Sequence, residues 1–494
     1  MAGSIWPKAS PLRVARALKA HSFLALAIGA LIYILAVTGS LLVFNHEFQR
    51  WEQPAAPEMA SISPQAAQKA AETVFRGEEP LTSHLYIGFP TADLPRTVIT
   101  TDTQAFLATP AGEIAAPEHH PWTQFVLDLH YYLHLPQILG LTVVGALGAA
   151  LLGLTLSGFL SHPRVFKDAF TFRRGDGRVP LADLHNRLSV WTAPFHLSNA
   201  LTGSILGLAS ILAFAIAAAS FGGDTTKVFA PIFGSEMPAQ APVSELAEIA
   251  APLTYMSQTY PDNPVTFYVV HEPGTGGQYS SVIAGHGDRL IFGEYYNFDA
   301  LGGFQGTTGI ADGTAGQQIA GSIYNIHFGN WGGLPVKLAY LVFGLALSMI
   351  MASGLRIYFT RRREKGRAAP RLEAVWDAVV WGTPALLAAT LVISLLGAPE
   401  TALAPVFWWG LVALCAAAGI GGRAWTGIAL KAATGAALLA VTAIYVAAYG
   451  AAAFSPAGGP VTLVIALVAA GLLVSAREVF LPARPVLDQV TPAE

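Results

Sequence analysis

Long runs of apolar residues alternate with polar segments along most of this 494-residue chain. An α-helix needs about 20 predominantly apolar residues to cross the hydrocarbon core of a bilayer. Eight runs meet that requirement, at about 22–44, 137–160, 188–219, 335–358, 375–397, 404–421, 428–452 and 460–476. This pattern predicts an all-α polytopic membrane protein with about eight transmembrane helices.

Two polar segments between these runs are long enough to fold outside the membrane. In residues 45–128, a predicted helix at Ser63–Val74 precedes strand-like runs at Leu85–Phe89, Thr97–Thr101 and Ala105–Ala108. In residues 221–333, a predicted helix around Val243–Thr259 precedes strands at Val265–His271, Tyr279–Ala284 and Arg289–Glu294, and Gly302–Gly321 is predicted to be a long loop. Each segment is therefore predicted to be a small α+β module.

The predicted domains follow from the order of spans and modules. They are the N-terminus with the first span (1–44), the first module (45–128), two spans joined by a basic loop (129–220), the second module (221–333), the fourth span with a basic loop (334–371) and a four-helix membrane extension (372–494). We expect the extension to serve a packing role. Its Trp376, Trp381, Trp408 and Trp409 lie near predicted membrane boundaries, where tryptophan usually anchors a helix at the interface.

Charge sets the predicted orientation. Only 12% of the residues are charged, about half the usual fraction in soluble domains. Basic residues cluster before the first span and after the second and fourth, at Lys8, Arg13, Arg16, Lys19, Arg164, Lys167, Arg173, Arg174, Arg178, Arg361, Arg362, Arg363, Lys365 and Arg367. Since cytoplasmic loops are enriched in Lys and Arg, both termini are expected in the cytoplasm. The basic loops are orientation signals that face lipid, and no nucleic-acid partner is expected.

Four histidines near the starts of the first four spans belong to an internal repeat. Gly39 follows His21 by 18 residues, and Gly203 follows His185 by 18 residues. In the even spans, Gly158 follows His130 by 28 residues and Gly354 follows His327 by 27 residues. Each glycine comes directly after a Ser or Thr. The first four spans are therefore two units of helix, module and helix in the same orientation, which is a parallel two-fold repeat.

Imidazole rings are costly inside a bilayer and usually mark a function there. The repeat would bring His21 and His185 together near the cytoplasmic face, and His130 and His327 together near the outer face. Haem is the ligand that best fits two such pairs, since two imidazoles can fill both axial positions of its iron. We therefore predict two haem groups. The alternative is that these histidines are interfacial and structurally neutral.

Other histidines near the spans are further candidates for cofactor binding. His134 follows His130 by four residues, which predicts one helical face for both, and His196 lies three turns after His185 in the same predicted span. The sequence leaves open which of His130 and His134, and which of His185 and His196, are the axial ligands. His162 and His46 end the second and first spans and are weaker candidates. The spacing of His130 and His134 also suits zinc, but neither Glu nor Cys ligands lie nearby on that helix.

The cysteine content and the absence of nucleotide-binding motifs limit which cofactors and electron donors the chain could use. Cys415 is the one cysteine, so intramolecular disulfides, thiolate zinc sites and iron–sulfur clusters are excluded. No Gly-x-Gly-x-x-Gly follows a predicted strand, and no phosphate-binding loop occurs. A haem protein of this kind would have to receive electrons from a quinol in the bilayer or from a separate cytoplasmic reductase.

Several stretches resemble the PepSY-associated transmembrane-helix proteins, a family that includes bacterial inner-membrane ferric-siderophore reductases. The resemblance spans about residues 15–363. It rests on Thr38-Gly39-Ser40 with His46-Glu47, Leu129-His130-Tyr131 with Leu133-His134-Leu135-Pro136, Phe166-Lys167-Asp168, Asp183-Leu184-His185-Asn186 with Pro194-Phe195-His196, and His327 with Gly333-Leu334-Pro335. Relatives often end after four spans, so the last four helices predicted here are a departure.

The resemblance implies a four-helix unit holding b-type haem, two periplasmic PepSY-like modules, and transfer of single electrons to a ferric siderophore or another Fe(III) chelate. Tyr295, Tyr296 and Trp331, with Phe298 nearby, form an aromatic-rich patch that could contact such a chelate. Two other classes of function compete with this one. The chain could be a haem-free regulatory or binding protein of the PepSY type, or a transporter in which the histidines carry protons or metal ions.

Overall fold

The computed structural model of the protein describes residues 10–77, 82–162, 164–171, 173, 178–234, 245–422 and 426–477. The chain divides into two compact units. The first comprises Met1–Phe172 with Asn186–Ile350, and the second comprises Arg173–His185 with Met351–Glu494. Of the predicted features, Lys8, Arg174 and the first two residues of the helix at 243–259 lie outside the described residues.

Sixteen α-helices are present in the described part of the chain. They are α1 (Pro11–Leu42), α2 (Asn45–Glu52), α3 (Pro64–Arg76), α4 (Pro121–Tyr132), α5 (Gln137–Ser161), α6 (Val165–Asp168), α7 (Arg178–Trp191), α8 (Ala193–Ser220), α9 (Thr226–Phe233), α10 (Ala250–Thr259), α11 (Ala315–Phe328), α12 (Gly333–Glu364), α13 (Pro370–Leu395), α14 (Glu400–Gly421), α15 (Thr426–Tyr449) and α16 (Gly459–Ser475).

Seven of these helices are long and apolar enough to cross a membrane: α1, α5, α8, α12, α13, α14 and the segment Gly427–Phe454, which begins in α15. The eighth predicted span corresponds to α16, which is apolar but has only 17 residues, at the lower limit for a membrane crossing. The protein is a multi-pass membrane protein.

Short polar signals in the sequence set where several helices begin. Ser10 and Ser63 each precede a proline, and their hydroxyl groups accept hydrogen bonds from the backbone N–H of Arg13 and Ala66. Proline suits the first helical position because its missing N–H would have no partner there. At α11, Thr314 and Gln317 form a reciprocal capping box.

Eight antiparallel strands of the first unit form one continuous sheet. The strands are β1 (His84–Gly88), β2 (Thr97–Thr100), β3 (Ala105–Ala108), β4 (Ile114–Pro117), β5 (Val265–His271), β6 (Tyr279–Ala284), β7 (Glu294–Asp299) and β8 (Phe304–Thr307). Their order is β4-β3-β2-β1-β5-β6-β7-β8. Each of the two outer segments therefore contributes four consecutive strands. In both halves the first strand lies at the centre of the sheet and the fourth lies at the edge.

The central pair joins the two segments that the sequence analysis treated as separate modules. β1 and β5 pair antiparallel over five residues, from His84 opposite His271 to Gly88 opposite Phe267. Helices α3 and α10 pack against each other, and their apolar residues share a core with both halves of the sheet. The shared core could not be read from either segment alone, because each has the pattern of a complete small module.

Two local predictions in the second segment are wrong. The strand predicted at Arg289–Glu294 begins only at Glu294, because residues before it turn back through a hydrogen bond from Arg289 N–H to the His286 carbonyl. The loop predicted at Gly302–Gly321 contains β8 and the first half of α11. Its high content of Gly, Thr and Gln concealed the capping box that starts α11.

In the second unit, α13 packs against α14 and α15. Ala374, Ala378 and Ala418 are fully buried between α13 and α14, where small side chains let two helices approach closely. Trp376 is only 5% exposed, and its indole N–H donates to the Ala352 carbonyl at 3.3 Å. The expectation of an interface anchor is therefore wrong for this tryptophan, whereas Trp409 is 73% exposed.

The shared core gives a stability prediction. Tyr268 on β5 is fully buried in it, and its hydroxyl donates to the Glu248 carbonyl. We expect Tyr268→Ala to destabilise the sheet by about 3–5 kcal/mol, the usual cost of truncating a buried aromatic residue. Hydrogen exchange should show lost protection in both strand segments, 84–117 and 265–307, since they share one core.

The matched control for this experiment is Phe267→Ala. Phe267 is the preceding residue on the same strand and is 50% exposed, so its truncation should change protection little. Loss of protection confined to residues 265–307 in Tyr268→Ala would contradict a single shared core.

Candidate cofactor site

His130 lies against the neighbouring helix α1, where its ring contacts a hydroxyl group and a glycine. We call this arrangement, an imidazole Nδ1 beside an oxygen with a glycine under the ring, a histidine seat. Its Nδ1 lies 3.1 Å from Oγ1 of Thr38. The next residue, Gly39, lies directly beneath the ring, and a Cβ atom placed on it would be 2.8 Å from Cε1 of His130. Any larger residue at position 39 would therefore push the imidazole off the helix.

His327 has the same arrangement on α8. Its Nδ1 lies 3.1 Å from Oγ1 of Thr202, and a Cβ atom on Gly203 would be 2.8 Å from its Cε1. The two seats thus agree in residue type and in both distances. They occupy repeat-related positions, so the Thr-Gly pairs that marked the repeat in the sequence are the places where the histidines rest.

The hydroxyl groups fix the position of the imidazole proton. A threonine hydroxyl has one hydrogen to donate, and those of Thr38 and Thr202 lie 2.9 and 2.8 Å from the carbonyls of Ile34 and Ser198 in their own helices. Each hydroxyl oxygen therefore accepts from the Nδ1–H of its histidine. A neutral ring protonated at Nδ1 carries its lone pair on Nε2. Among the described residues, His130 and His327 make no hydrogen bond through Nε2.

Both rings line one cavity of about 330 Å³ within the first unit. Its walls come from α1, α5, α8 and α12 together with the ends of α4 and α11, and they are mainly apolar. Glycines on these walls are Gly39, Gly148, Gly203, Gly207 and Gly344, and the aromatic residues are Tyr131, Phe195, Tyr324, Phe328 and Tyr340. The cavity is large enough for a small-molecule ligand, and it presents two imidazole lone pairs to a single occupant.

A close approach of α5 and α8 shapes one wall of this cavity. A Cβ atom on Gly207 would lie 2.7 Å from the Cα of Gly145. The two backbones can come together because both residues lack side chains, as in other small-residue contacts between membrane helices. Leu147 and Leu151 then extend from α5 along the apolar lining.

Polar contacts at the helix starts hold α4 and α11 in place. The buried carboxylate of Glu52 accepts from the backbone N–H groups of Trp122 and Thr123, at 2.8 and 2.9 Å. A negative charge at the first turn also complements the helix dipole. Helix α11 is held near its C-terminal end instead, where the Asn325 side chain donates to the Ile291 carbonyl at 2.9 Å. His130 and His327 lie in the last turns of these two anchored helices.

His21 has an equivalent seat on α5. Its Nδ1 lies 2.9 Å from the Leu154 carbonyl and 3.4 Å from Oγ of Ser157. A carbonyl can only accept, so Nδ1 carries the proton. A Cβ atom on Gly158 would be 3.1 Å from Cε1 of the ring.

His185 is seated in the second unit on α12, with Nδ1 3.2 Å from Oγ of Ser353. A Cβ atom on Gly354 would lie 3.0 Å from its Cε1. His21 and His185 belong to different compact units, and their pairing stays a prediction.

His134 does not share a helical face with His130, so that expectation is wrong. α4 ends at Tyr132, and Leu133 and His134 both adopt positive φ, 55° and 57°. This turn leads into Pro136, which starts α5. His134 folds back on its own helix, where its Nε2 lies 3.0 Å from the Phe125 carbonyl and its ring stacks on Phe125.

His196 lines the cavity, but it is not on one continuous helix with His185. α7 ends at Trp191 and α8 begins at Ala193. Both ring nitrogens of His196 have partners: Nε2 lies 3.1 Å from the Phe343 carbonyl and Nδ1 lies 3.2 Å from Oγ1 of Thr192. Because a carbonyl can only accept, Nε2 of His196 carries the proton, so its donor pattern is the reverse of that of His130 and His327. His196 is therefore a wall residue in this arrangement.

His162 and His46 lie away from the cavity lining. His162 Nε2 is 3.2 Å from a carboxylate oxygen of Asp168. His46 lies on α2, outside the long apolar helices, and burial lowers its pKa, as does the nearby ammonium of Lys337. That ammonium is itself buried and pairs with Glu47 at 2.7 Å and Asp93 at 3.0 Å. Among the described residues, no group of three or more His, Cys, Asp or Glu side chains could hold a metal ion.

The predicted aromatic patch does not form one surface. Tyr295 and Tyr296 are neighbours on β7, so they point to opposite faces of the sheet. Tyr296 is only 2% exposed in the shared core, and Phe298 is fully buried there. Tyr295 is half-buried on the other face, and burial raises its pKa to about 12. Trp331 is 49% exposed in the turn between α11 and α12.

Sequence reasoning identified the four seated histidines but missed the residues that seat them. Thr38, Thr202, Ser157 and Ser353 served only as landmarks of the repeat. Their position immediately before a glycine was the available signal. Asn199, which also lines the cavity, gave no signal of its own.

Comparison with known proteins agrees with this architecture. A region of an uncharacterized protein of Pseudomonas aeruginosa, PA4219, is 32% identical to this chain over 117 residues, which is 23% of this chain and 30% of that protein. The match spans less than a third of the relative's length. Residues 18–361 match the family described as the PepSY-associated TM region, and these residues contain all four seated histidines. The chain therefore belongs to the PepSY-associated transmembrane family.

Proposed function

We propose that this protein is a transmembrane electron-transfer protein that holds two haem b groups and reduces a ferric siderophore or another Fe(III) chelate. The observation that carries the proposal is the histidine seat, which occurs four times with the same chemistry. In each, an imidazole is fixed through Nδ1 beside a glycine of a neighbouring helix. That arrangement supports metal ligation, since ligand histidines usually donate their other ring N–H to a protein oxygen.

The residues around His130 and His327 fit a haem. The two rings offer Nε2 lone pairs to one mainly apolar cavity, where aliphatic and aromatic side chains would surround the faces of a macrocycle. Polar groups that would compete for the metal are few, because both nitrogens of His196 are already hydrogen-bonded. His21 and His185 would hold the second haem. We call the haem at His130 and His327 the outer haem, and the haem at His21 and His185 the inner haem.

A haem supplies one-electron chemistry, because its iron alternates between the ferrous and ferric states. The contribution of this chain is to set the environment of that iron. The hydroxyl of Thr38 or Thr202 keeps the proton on Nδ1 and orients the ring, which strengthens Nε2 as a donor. The apolar wall excludes water, and burial of this kind is one of the factors that set a haem potential.

We further propose that the sheet side of the molecule faces the periplasm of a bacterial inner membrane. Along the chain, the sheet segments follow the first and third spans, whereas basic clusters precede the first span and follow the second and fourth. The positive-inside rule then favours the cytoplasm for the basic clusters and the periplasm for the sheet. Reduction of a ferric chelate would then take place near His130 and His327, whose helices continue from the sheet. Tyr295 and Trp331 remain candidates for chelate contact, whereas Tyr296 is no longer one because it is buried in the core. A quinol or a cytoplasmic reductase would supply the electrons.

Our first prediction is the haem content. Purified protein should contain about two haems per chain, and both should be low-spin because a pair of histidines would bind each iron. The pyridine haemochrome and the Soret and α/β bands after dithionite reduction measure this. A colourless protein would favour a regulatory or transport function, and one haem per chain would mean that one of the two pairs is structural.

A second prediction tests the glycine seat without altering a ligand. In Gly203→Ala the new Cβ would lie 2.8 Å from Cε1 of His327, a distance that forces the ring to move. We expect at least a tenfold loss of affinity for the outer haem, which corresponds to about 1.4 kcal/mol, measured by haem titration. The control is Gly153→Ala, whose Cβ would meet only Leu24 at 3.9 Å. Equal haem affinity in both variants would contradict the seat.

A third prediction assigns the haems to histidine pairs. His185→Ala should lose the inner haem and keep the outer one, which should still reduce a ferric chelate in detergent after chemical reduction. In intact membranes, transfer from the cytoplasmic side should fail because the inner relay is absent. His327→Ala should show the opposite pattern, with an inner haem that is reduced but cannot reach the chelate. Loss of the same haem in both variants would refute the pairing.

A further inference from the structure

The C-terminal helices carry buried charges where only packing was expected. Glu373 and Asp377 lie one turn apart on α13 and are 5% and 4% exposed. Asp377 pairs with Arg356 at 3.1 Å, and Glu373 pairs with Arg363 at 2.8 Å. Asp and Glu side chains are almost never this buried unless they are paired, so these two carboxylates call for a physical explanation.

These ion pairs line a cavity of about 210 Å³ in the second unit. Leu181, Phe359 and Trp376 form its apolar walls, and Thr360 adds a hydroxyl. Its volume is below the range of about 300–1,000 Å³ that is typical of pockets for drug-sized ligands. A single six-membered ring with small substituents is an occupant of suitable size, provided that any tail lies outside.

The carboxylates and guanidinium groups that line the cavity favour a neutral ligand over a charged one. Two carboxylates face two guanidinium groups, so an anion such as a lipid phosphate would gain no net attraction. A neutral ring with two hydroxyl groups matches the site better, because carboxylates can accept its protons and guanidinium groups can donate to its oxygens. Aromatic and aliphatic side chains would contact its faces.

The cavity lies next to the seat of His185. Leu181 precedes His185 by four residues on α7, so both residues lie on one helical face. On α12, Arg356 follows Ser353 by three residues, and Ser353 is the hydrogen-bond partner of His185. A redox-active ring in this cavity would therefore be adjacent to a histidine that we assign to the inner haem.

We propose that this cavity binds the headgroup of a membrane quinol, which donates electrons to the haem held by His185. This inference rests on the proposed function. Oxidation of one quinol to a quinone releases two electrons and two protons. A haem held by His185 would take up these electrons one at a time, so each quinol would support two one-electron reductions. Glu373 and Asp377 would each accept one of the two protons.

The test measures binding of decylubiquinol, a quinol with a single ring, to the purified full-length protein by isothermal titration calorimetry, with both protein and ligand reduced beforehand by dithionite. Asp377→Asn should weaken binding at least tenfold, because it removes a proton acceptor and breaks the pair with Arg356. Leu181→Trp should do the same by filling the cavity while leaving both ion pairs intact. Glu364→Gln is the control. Glu364, at the end of α12, also forms an ion pair, with Arg178 of α7, but it does not line the cavity.

The outcomes separate this proposal from the proposed function. Binding to the unaltered protein and to Glu364→Gln, with loss in the two cavity variants, supports a quinol site. Absence of binding to the unaltered protein, or equal binding to all variants, overturns it even if the haem spectrum is intact. If Asp377→Asn does not fold, Leu181→Trp decides, and full binding by that variant would show that the ion pairs only join α12 to α13. A protein that binds the quinol but no haem would overturn the proposed function instead.

Discussion

The hydrogen bond from an imidazole Nδ1 to an oxygen on the neighbouring helix is the interaction on which the candidate site depends. In the seats of Thr38 and Thr202, the hydroxyl hydrogen is committed to a carbonyl of the same helix. The helix backbone thereby decides which ring nitrogen carries the proton, and hence which nitrogen can bind a metal. The following glycine lets the ring lie against the helix. Position, orientation and protonation of each histidine thus come from two adjacent residues.

The sheet explains how two distant segments of the chain deliver their histidines to one cavity. The strands β4 and β8 form the two edges of the sheet, and α4 and α11 are the helices that follow them. Since β1 and β5 pair at the centre, the spacing between the two edges is fixed by seven strand contacts rather than by a loop. The two repeat units have equivalent residues at the histidine seats but different residues along the cavity wall. On that wall, Ile32 of α1 corresponds to His196 of α8, and Leu35 corresponds to Asn199. The cavity is therefore more polar on its α8 side.

Hydropathy and spacing were sufficient to predict seven of the eight spans and the four histidines with their repeat-related glycines, because each of these features recurs along the chain. Features that depend on contacts between segments were not predictable in this way. The turn at Leu133 and His134 reverses the direction of a histidine that helical spacing placed beside His130, and only the positive φ angles reveal it. The burial of Tyr296 and the pairing of β1 with β5 likewise arise from a sheet that neither segment forms alone.

The second unit raises a further physical question, which is why a bundle rich in Ala, Leu and Val retains two ion pairs whose carboxylates are buried and whose guanidinium groups are partly exposed. Desolvation of the carboxylates offsets much of the Coulomb attraction, so apolar residues of similar volume would hold α12 and α13 together equally well. Packing between Ala374 and Ala418 already joins α13 to α14. The charges at Glu373 and Asp377 are therefore poorly explained by stability. The proposed quinol site would give them a role as proton acceptors beside a cavity, and Arg356 lies three residues after Ser353, the hydrogen-bond partner of His185.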